Sequence, residues 1–336
     1  MVITRTPFRI SFFGGGTDYP AWYDKNGGQV LSTSIDKYCH VTCRPLPPFF
    51  EKKHHIVYSK IENVDHPDEI EHPSVRECLK FADIDHGVTV IHDGDLPARS
   101  GMGSSSSFTV GLLHALYTLK GKMVSKHQLA MDAIQVEQQH IKENVGSQDQ
   151  VAAAFGGLNR IIFGGQHGVR VEPIIMSHDR LESMQDHCML FFTGLSRTAS
   201  DMAIHWIKNT ERNDANLRRM HQMVDEAVEI LTNTSHNLRE FGELLDEAWR
   251  RKRELTDNIT NSTVDEVYNS AKQAGAIGGK LLGAGGGGFV LLFVEPDKQE
   301  EVRSALGKFM HVPFRFDSLG SHIVHYSHNL GGINFR

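Results

Sequence analysis

A run of four serines directly behind two glycines is the segment of this chain best suited to bind an anion. At the first turn of a helix, unpaired N–H groups and the helix dipole favour an anion, and serine hydroxyls can donate to phosphate or hold Mg²⁺. Capping the helix needs only one such hydroxyl, so the run predicts a phosphate-binding site. We name residues 101–107 the serine loop, with predicted ligand-binding residues Gly101, Met102, Gly103, Ser104, Ser105, Ser106 and Ser107.

A second glycine-rich segment lies near the end of the chain, and we name residues 283–288 the glycine loop. Five of its six residues are glycine, which costs more chain entropy than an ordinary turn needs. Such a density indicates close approach of the backbone either to a ligand or to another loop.

A third segment, which we name the N-terminal loop, follows the first predicted strand and consists of Gly14, Gly15, Gly16, Thr17 and Asp18. Asp18 could accept hydrogen bonds from two sugar hydroxyls, and Thr17 could donate one. The alternative is a turn in which Asp18 bonds its own backbone, and for such a segment alone this alternative is the more common one.

Other phosphate-binding motifs are incomplete in this chain. The dinucleotide pattern G-x-G-x-x-G fails because Tyr19 occupies its third glycine position. The Walker A pattern fails because its spacing is wrong and Leu281 follows Lys280 where a hydroxyl residue belongs. The H-R-D and D-F-G motifs of protein kinases do not occur.

Taken in this order, the three segments resemble the motifs of the GHMP kinases, which include galactokinase, homoserine kinase, mevalonate kinase and phosphomevalonate kinase. The motifs correspond to residues 6–19, 97–107 and 280–288, with Met102 in place of the usual leucine. The resemblance implies an α+β fold. Its N-terminal domain, residues 1–180, would resemble the second domain of ribosomal protein S5, and its C-terminal domain, residues 181–336, would be ferredoxin-like.

Within this family, the Gly-Gly-Gly-Thr-Asp-Tyr-Pro sequence is similar to that of heptose 7-phosphate kinases and fucokinase-like relatives. The resemblance implies phosphorylation of the anomeric hydroxyl of a sugar phosphate, with ATP and Mg²⁺ as cofactors. One alternative is a kinase for an unphosphorylated sugar such as fucose or galactose. Another is a non-catalytic regulator that binds ATP or a sugar, since kinase folds are reused as sensors.

The same resemblance implies roles for single residues. Asp149 would be the general base that takes the proton of the anomeric hydroxyl, and Arg9 would lie beside it. Glu137 and Ser105 would hold Mg²⁺, with Ser104 or Ser106 as alternatives to Ser105.

Substrate contacts are expected from the N-terminal loop and from Gly285 and Gly286. A phosphate on the substrate would need cations, and Arg197, at the predicted start of a long helix, offers a guanidinium beside helix N–H groups. Arg44, Arg99 and Lys280 are weaker candidates for the same task.

Strands and helices must position these segments. Strands are predicted at residues 2–13, 29–35, 37–46, 54–59, 88–92, 158–163, 169–175, 289–294 and 321–326. Helices are predicted at residues 104–119, 128–141, 200–231, 238–255, 263–275 and 298–310. The change from strand-rich to helix-rich sequence near residues 177–186 predicts two domains, with a binding cleft between them.

Composition narrows the remaining function classes. The 336 residues carry a net charge of −6 without a basic block, so nucleic acid is not an expected partner. No apolar stretch is long enough to span a membrane, and no secretion signal precedes the first strand. The four cysteines form no C-x-x-C pair, and His322, His325 and His328 alternate between the faces of a strand, which argues against a metal cluster. We expect a cytoplasmic protein with small-molecule partners, and a homodimer among the assemblies left open.

Overall fold

The computed structural model describes residues 1–165, 168–194, 213–256 and 259–327, which form two β-sheets and their covering helices. The strands are β1 (Val2–Phe13), β2 (Gly28–Pro45), β3 (His54–Val57), β4 (Ile61–Val64), β5 (Val88–Gly94), β6 (Leu158–Phe163), β7 (Arg170–Pro173), β8 (Cys188–Phe192), β9 (Gly278–Leu281), β10 (Phe289–Phe293), β11 (Met310–His311), β12 (Phe316–Asp317) and β13 (His322–Tyr326). The α-helices are α1 (Pro20–Asn26), α2 (Pro73–Phe81), α3 (Ser104–Leu119), α4 (Lys126–Gln135), α5 (Gln148–Phe155), α6 (His178–Asp186), α7 (Asp214–Thr232), α8 (Leu238–Arg253), α9 (Ser262–Gln273) and α10 (Gln299–Ala305). This mixture confirms the predicted α+β class.

The first sheet is organised around β2, whose 18 residues pair with four other strands. The strand order is β13-β1-β2-β5-β3-β4, with β6 and β12 also on β2 and β7 on β6. The sequence predicted two strands, at residues 29–35 and 37–46, where the structure has the single strand β2. Its register against β1 shifts twice, but the pairing continues through both shifts. Helix α3 packs on β1 and β2 and is apolar on most of its surface, as expected of a buried helix.

The second sheet has the order β11-β8-β10-β9 and is antiparallel throughout. Strand β10 is buried at all five residues. After β11 the chain returns to the first sheet, where β12 pairs with β2 and β13 pairs with β1. The division into residues 1–180 and 181–336 stays a prediction, and the last two strands belong to the first sheet.

An aromatic cluster joins the two halves of the molecule. Phe241 on α8 makes edge-on contacts with Phe12 and Phe13 on β1, with ring centroids 5.4 and 5.1 Å apart. Its ring also lies 5.4 Å from that of Phe293 on β10. These aromatic contacts add to the free energy gained by burying apolar area. All four rings belong to one hydrophobic core, which therefore joins the two halves beside the cleft.

Several predicted elements differ in their ends. The helix predicted at residues 128–141 is α4 followed by a π-helical segment, Val136–Ile141. The helix predicted at residues 298–310 stops at Ala305, and β11 follows. Of the helix predicted at residues 200–231, the structure describes α7 from Asp214 onward. Helices α1, α2 and α6 and strands β4, β8, β9, β11 and β12 were not predicted; none of these helices exceeds nine residues and none of these strands exceeds five.

Candidate active site

A cavity of about 950 Å³ lies between the two halves, and all three glycine-containing loops contribute to its wall. From the serine loop it is lined by Gly101, Gly103, Ser104, Ser105 and Ser106, from the N-terminal loop by Gly15, Gly16 and Asp18, and from the glycine loop by Gly283, Ala284, Gly285 and Gly287. Residues far apart in the chain therefore meet at one site.

The serine loop leads directly into α3, so its serines occupy the first turn of that helix. Ser104 and Ser105 face the cavity, and the first-turn N–H groups are suited to an anion. Met102 and Ser107, which were also predicted to bind the ligand, do not line the cavity. The side chain of Met102 is buried in the core, and the Ser107 hydroxyl donates to the Pro7 carbonyl at 2.9 Å.

Glu137 lies in the π-helical segment and is fully buried behind the serine loop, so it does not itself line the cavity. Its Oε2 accepts hydrogen bonds from the Ser106 hydroxyl, at 2.8 Å, and from the Gln150 amide. Oε1 makes no well-formed hydrogen bond, although the Thr109 hydroxyl is close enough to lower the pKa of the carboxyl. Burial raises the pKa of Glu137 to about 7. A buried carboxylate oxygen without a well-formed hydrogen bond, next to a hydroxyl, fits a hard cation such as Mg²⁺.

The serine beside Glu137 is thus Ser106 and not Ser105, whose side chain is exposed. Ser106 is one of the alternatives that the sequence left open for the metal-binding serine, and it differs from Ser105 because a helical turn directs successive residues to different sides. Among the residues that the structure describes, no group of three or more His, Cys, Asp and Glu side chains could hold a metal ion. Mg²⁺ does not need such a group, since it is commonly bound by one or two carboxylates together with phosphates and water.

Arg9 and Asp149 form a two-pronged ion pair at the centre of the cavity. Nε and Nη2 of Arg9 donate to the two carboxylate oxygens at 2.8 and 2.9 Å, and Nη1 donates to the Gly101 carbonyl at 2.7 Å. The arginine is 4% exposed, whereas the Asp149 side chain is 24% exposed. The fork geometry holds the carboxylate in one orientation against the serine loop.

Asp18 is the second carboxylate of the cavity and is 1% exposed. Its Oδ1 accepts a hydrogen bond from the Gly16 N–H at 2.8 Å, and its Oδ2 has no partner. Burial, together with the charge of Asp149, raises the pKa of Asp18 to about 6. A Cβ at Gly146 would overlap Oδ2, so glycine is required there. Asp18 therefore closes a local turn through Oδ1 and keeps Oδ2 for another ligand. The turn and the proposed sugar contact are compatible.

Thr17 and Gly14, which were also predicted to contact the substrate, shape the N-terminal loop and do not line the cavity. The Thr17 hydroxyl lies within hydrogen-bond distance of the Gly14 and Gln29 carbonyls, at 2.8 and 2.9 Å. Gly14 packs against Gln29 and against Val224 on α7. These contacts close the turn and leave Gly15, Gly16 and Asp18 facing the cavity.

The glycine loop packs directly against the serine loop. A Cβ on Gly101 would lie 2.5 Å from the Leu282 carbonyl oxygen, and Gly283 lies against Gly101 in turn. Gly286, which was also predicted to contact the substrate, does not line the cavity, and its N–H donates to the Ile259 carbonyl at 2.9 Å. The glycine density indicated close approach either to a ligand or to another loop. The structure shows the contact with another loop, and Gly285 lines the cavity.

Two lysines complete the charged part of the cavity. Nζ of Lys280 on β9 donates to the Phe12 carbonyl at 2.9 Å. Nζ of Lys252 on α8 donates to the Leu281 carbonyl at 3.3 Å and to the Gly283 carbonyl. Sequence reasoning missed Lys252, because it lies in the run Arg250–Arg253, which is typical of an exposed helix end. Arg197 lies outside the described residues, Arg99 lines the cavity, and Arg44 does not.

The far end of the cavity is lined by aromatic rings. The rings of Tyr58, His72, Phe108 and His92 contact one another in this order, with successive ring centroids 4.8, 5.0 and 4.6 Å apart. Burial lowers the pKa of His72 to about 4, so this ring is neutral. A wall of neutral rings next to the serine loop suits a flat heterocycle, and the sequence carried no signal for it because its members come from four elements.

Comparison with known proteins identifies the family of the chain. The GHMP kinases N terminal domain matches residues 73–157, and the GHMP kinases C terminal domain matches residues 216–312. The chain belongs to the GHMP kinases. The first match spans the serine loop and the second spans the glycine loop, as the motifs predicted.

The relatives with known names include sugar kinases and mevalonate kinases. The chain is 28% identical to D-glycero-alpha-D-manno-heptose 7-phosphate kinase of Campylobacter jejuni, over 91% of this chain and 93% of that protein. It is 23% identical to the galactokinase of Pyrococcus furiosus, over 91% and 92% of the two chains. The crystal structure of a D-glycero-D-manno-heptose 1-phosphate kinase from Bacteroides thetaiotaomicron matches with a TM-score of 0.78 and 23% identity, over 97% and 100% of the chains. The fold is therefore that of a GHMP kinase, and the relatives named here are kinases.

None of the helices in the described ranges is both long and apolar enough to cross a bilayer.

Proposed function

We propose that this chain uses ATP to phosphorylate the anomeric hydroxyl of a sugar phosphate, with D-glycero-D-manno-heptose 7-phosphate as the first candidate. The product would be the 1,7-bisphosphate, a precursor for nucleotide-activated heptose. The observation that carries the proposal is the Arg9–Asp149 ion pair, which stands between the serine loop and Asp18 in one cavity. The similarity to the Campylobacter jejuni heptose 7-phosphate kinase supports this choice of substrate.

The nucleotide would occupy the serine-loop end of the cavity. Hydroxyls of Ser104 and Ser105 and the first-turn N–H groups of α3 would hold the phosphates. The ring-lined end, including His72 and Phe108, would receive the adenine. Phosphoryl transfer passes through a loose transition state, so alignment and charge neutralisation provide most of the catalysis.

The acceptor sugar would lie against Gly15, Gly16 and Asp18, with its anomeric hydroxyl toward Asp149. Asp149 would accept the proton of that hydroxyl as the oxygen attacks phosphorus. Each carboxylate oxygen keeps a second lone pair beside its bond to Arg9. The guanidinium would hold the base in orientation and offset the charge that develops on the phosphoryl group.

A magnesium ion would be held by Glu137 and Ser106, together with phosphate oxygens and water. These residues would keep the positive charge of Mg²⁺ close to the phosphate groups, where it would offset their negative charge. The burial of Glu137 behind the serine loop supports this role, since a carboxylate oxygen without a well-formed hydrogen bond is otherwise costly there.

A non-catalytic regulator is a weaker alternative, because ligand binding alone does not require a base held by a two-pronged ion pair. An unphosphorylated sugar stays the main alternative substrate, and similarity to the Pyrococcus furiosus galactokinase supports it. Cytoplasmic location and a homodimer stay predictions from the sequence.

A coupled ATPase assay over a panel of sugars, each with and without a terminal phosphate, tests the proposal. We expect the highest kcat/KM for heptose 7-phosphate, and ³¹P NMR of the product should show a phosphate on the anomeric oxygen. Turnover of unphosphorylated sugars alone would replace the proposed substrate by the alternative. ATP binding without turnover of any sugar in the panel would favour the regulator.

A further inference from the structure

The cations in the wall of the cavity differ in whether they have an acidic partner. Arg9 is paired with Asp149, and Lys60, toward the ring-lined end, is paired with Glu71 at 2.7 Å. Lys252 and Lys280 form no ion pair with any described carboxylate and donate only to backbone carbonyls. An ammonium group has three donors, so Lys280 keeps two of them free and Lys252 keeps one.

Burial makes this lack of a partner energetically important. Lys280 is 4% exposed, and Lys252 is partly buried beside it. Burial, together with the positive charge of Arg9, lowers the pKa of Lys252 to about 8, and burial lowers the pKa of Lys280 well below its usual value. Buried cations without a counter-ion are costly, and a bound anion would remove that cost.

The local charges leave room for one such anion. The groups that face Lys252 are Arg9 on β1, Asp18 in the N-terminal loop and Lys280 on β9. Asp149 neutralises Arg9, so the two lysines are opposed by at most the single charge of Asp18. With Asp18 protonated, a phosphate dianion would balance the two lysine charges, and with Asp18 ionised it would replace one net positive charge by one net negative charge.

We propose that Lys252 and Lys280 form a binding site for a phosphoryl dianion at the acceptor end of the cavity. Such a dianion has two sources, namely the phosphate that the acceptor sugar already carries and the phosphoryl group that is transferred. The first source rests on the proposed function, whereas the site itself does not. Because Arg197 lies outside the described residues, this site is assigned independently of that residue.

Isothermal titration with inorganic phosphate tests the site on the full chain. Lys252→Met should bind inorganic phosphate at least tenfold more weakly than the wild type. We call this difference in affinity the Lys252-dependent part of binding. Lys252→Arg should restore binding, because it keeps the charge. Lys272→Met is the matched control, since Lys272 also donates to a backbone carbonyl but is paired with Asp246. Equal phosphate affinity in Lys252→Met and the wild type would overturn the proposal.

The pH dependence separates charge from a merely structural role. With a pKa of about 8 in the free protein, Lys252 loses its proton as the pH rises through 8. Phosphate affinity of the wild type should therefore fall between pH 7.5 and 9, and it should fall more steeply than that of Lys252→Met, which retains only Lys280. A flat profile in the wild type would contradict the assignment.

Repeating the titration with the protein saturated by a non-hydrolysable ATP analogue distinguishes the two sources. If the site takes the acceptor's own phosphate, the Lys252-dependent binding persists beside the analogue. If the site takes the transferred group, the analogue blocks it. Either result is compatible with a sugar panel in which no phosphorylated sugar is turned over, so failure of the proposed function and failure of this site are distinguishable.

Discussion

The two ends of the cavity use different physical means. The serine-loop end offers neutral donors, namely hydroxyls and the first-turn N–H groups of α3, and its carboxylate Glu137 lies behind the loop. The acceptor end is built from ionised side chains, of which Arg9 and Asp149 are paired and Lys252 and Lys280 are not. Neutral donors can be supplied by one continuous segment, whereas opposed charges must come from separate elements that the core holds together.

The largest expected effect is at the paired charges of the acceptor end. Asp149→Asn keeps the size of the side chain but removes the proton acceptor, so kcat should fall at least ~100-fold. ATP affinity, measured by isothermal titration, should stay within about twofold of the wild type because the serine loop is untouched. Full turnover in this variant would show that the base is elsewhere.

The buried carboxylate of Asp18, at the same end, should make the free energy of unfolding depend on pH. Because its pKa is raised from 3.8 to about 6 on folding, the folded state holds the proton more tightly, and stability is lost as the pH rises from 4 to 6. Asp18→Asn removes that loss and should raise the free energy of unfolding by up to about 3 kcal/mol at pH 7 relative to pH 4.

Urea unfolding of the wild type and Asp18→Asn at the two pH values measures this difference. Asp24→Asn, at an exposed position of α1, serves as the control and should give the same small change at both. A gain for Asp18→Asn that does not depend on pH would rule out the titration of this carboxyl as its cause.

The contact between the serine loop and the glycine loop should be sensitive to a single methyl group. Gly101→Ala places a Cβ 2.5 Å from the Leu282 carbonyl oxygen, at a φ of +84°. Gly121→Ala has a similar φ of +69° but nothing within 4 Å of its Cβ, so it isolates the backbone strain. Gly101→Ala should cost about 2 kcal/mol more than Gly121→Ala in denaturant unfolding, and equal costs would mean that the two loops separate easily.

The smallest expected effect distinguishes two neighbouring serines at the neutral end. Ser106→Ala removes the hydroxyl that contacts Glu137, and the Mg²⁺ concentration for half-maximal velocity should rise about tenfold. Ser105→Ala should leave that concentration unchanged, since its hydroxyl faces the cavity away from Glu137. The reverse order would restore Ser105 as the metal-binding serine.

Much of the neutral end could be predicted from the sequence because its signal is continuous. The start of α3 at Ser104, the place of the loop before it and the α+β class agree with the structure. The division of labour within the loop could not be predicted, because Met102, Ser106 and Ser107 point to partners on other elements. Thr17 and Gly286 were assigned to the substrate for the same reason, since their backbone partners are not visible in the sequence.

The charged end was predicted where a motif marked it and missed where none did. Arg9 and Asp149 were paired through the family resemblance, and the structure brings them together over 140 positions of sequence. Lys252 was missed because a basic helix end normally faces solvent. Its cavity-facing position follows from the packing of α8 beside β9, which draws its ammonium group to the carbonyls of Leu281 and Gly283.

By itself, the sequence determined the three loops and the family they mark, because glycine and serine runs act through local backbone geometry and hydrogen bonding. Only the tertiary structure decided which hydroxyl reaches Glu137, which glycines serve loop contact, and which cations lack an acidic partner. These outcomes depend on distances between elements that the shared aromatic core sets, and burial then decides how much each charge costs.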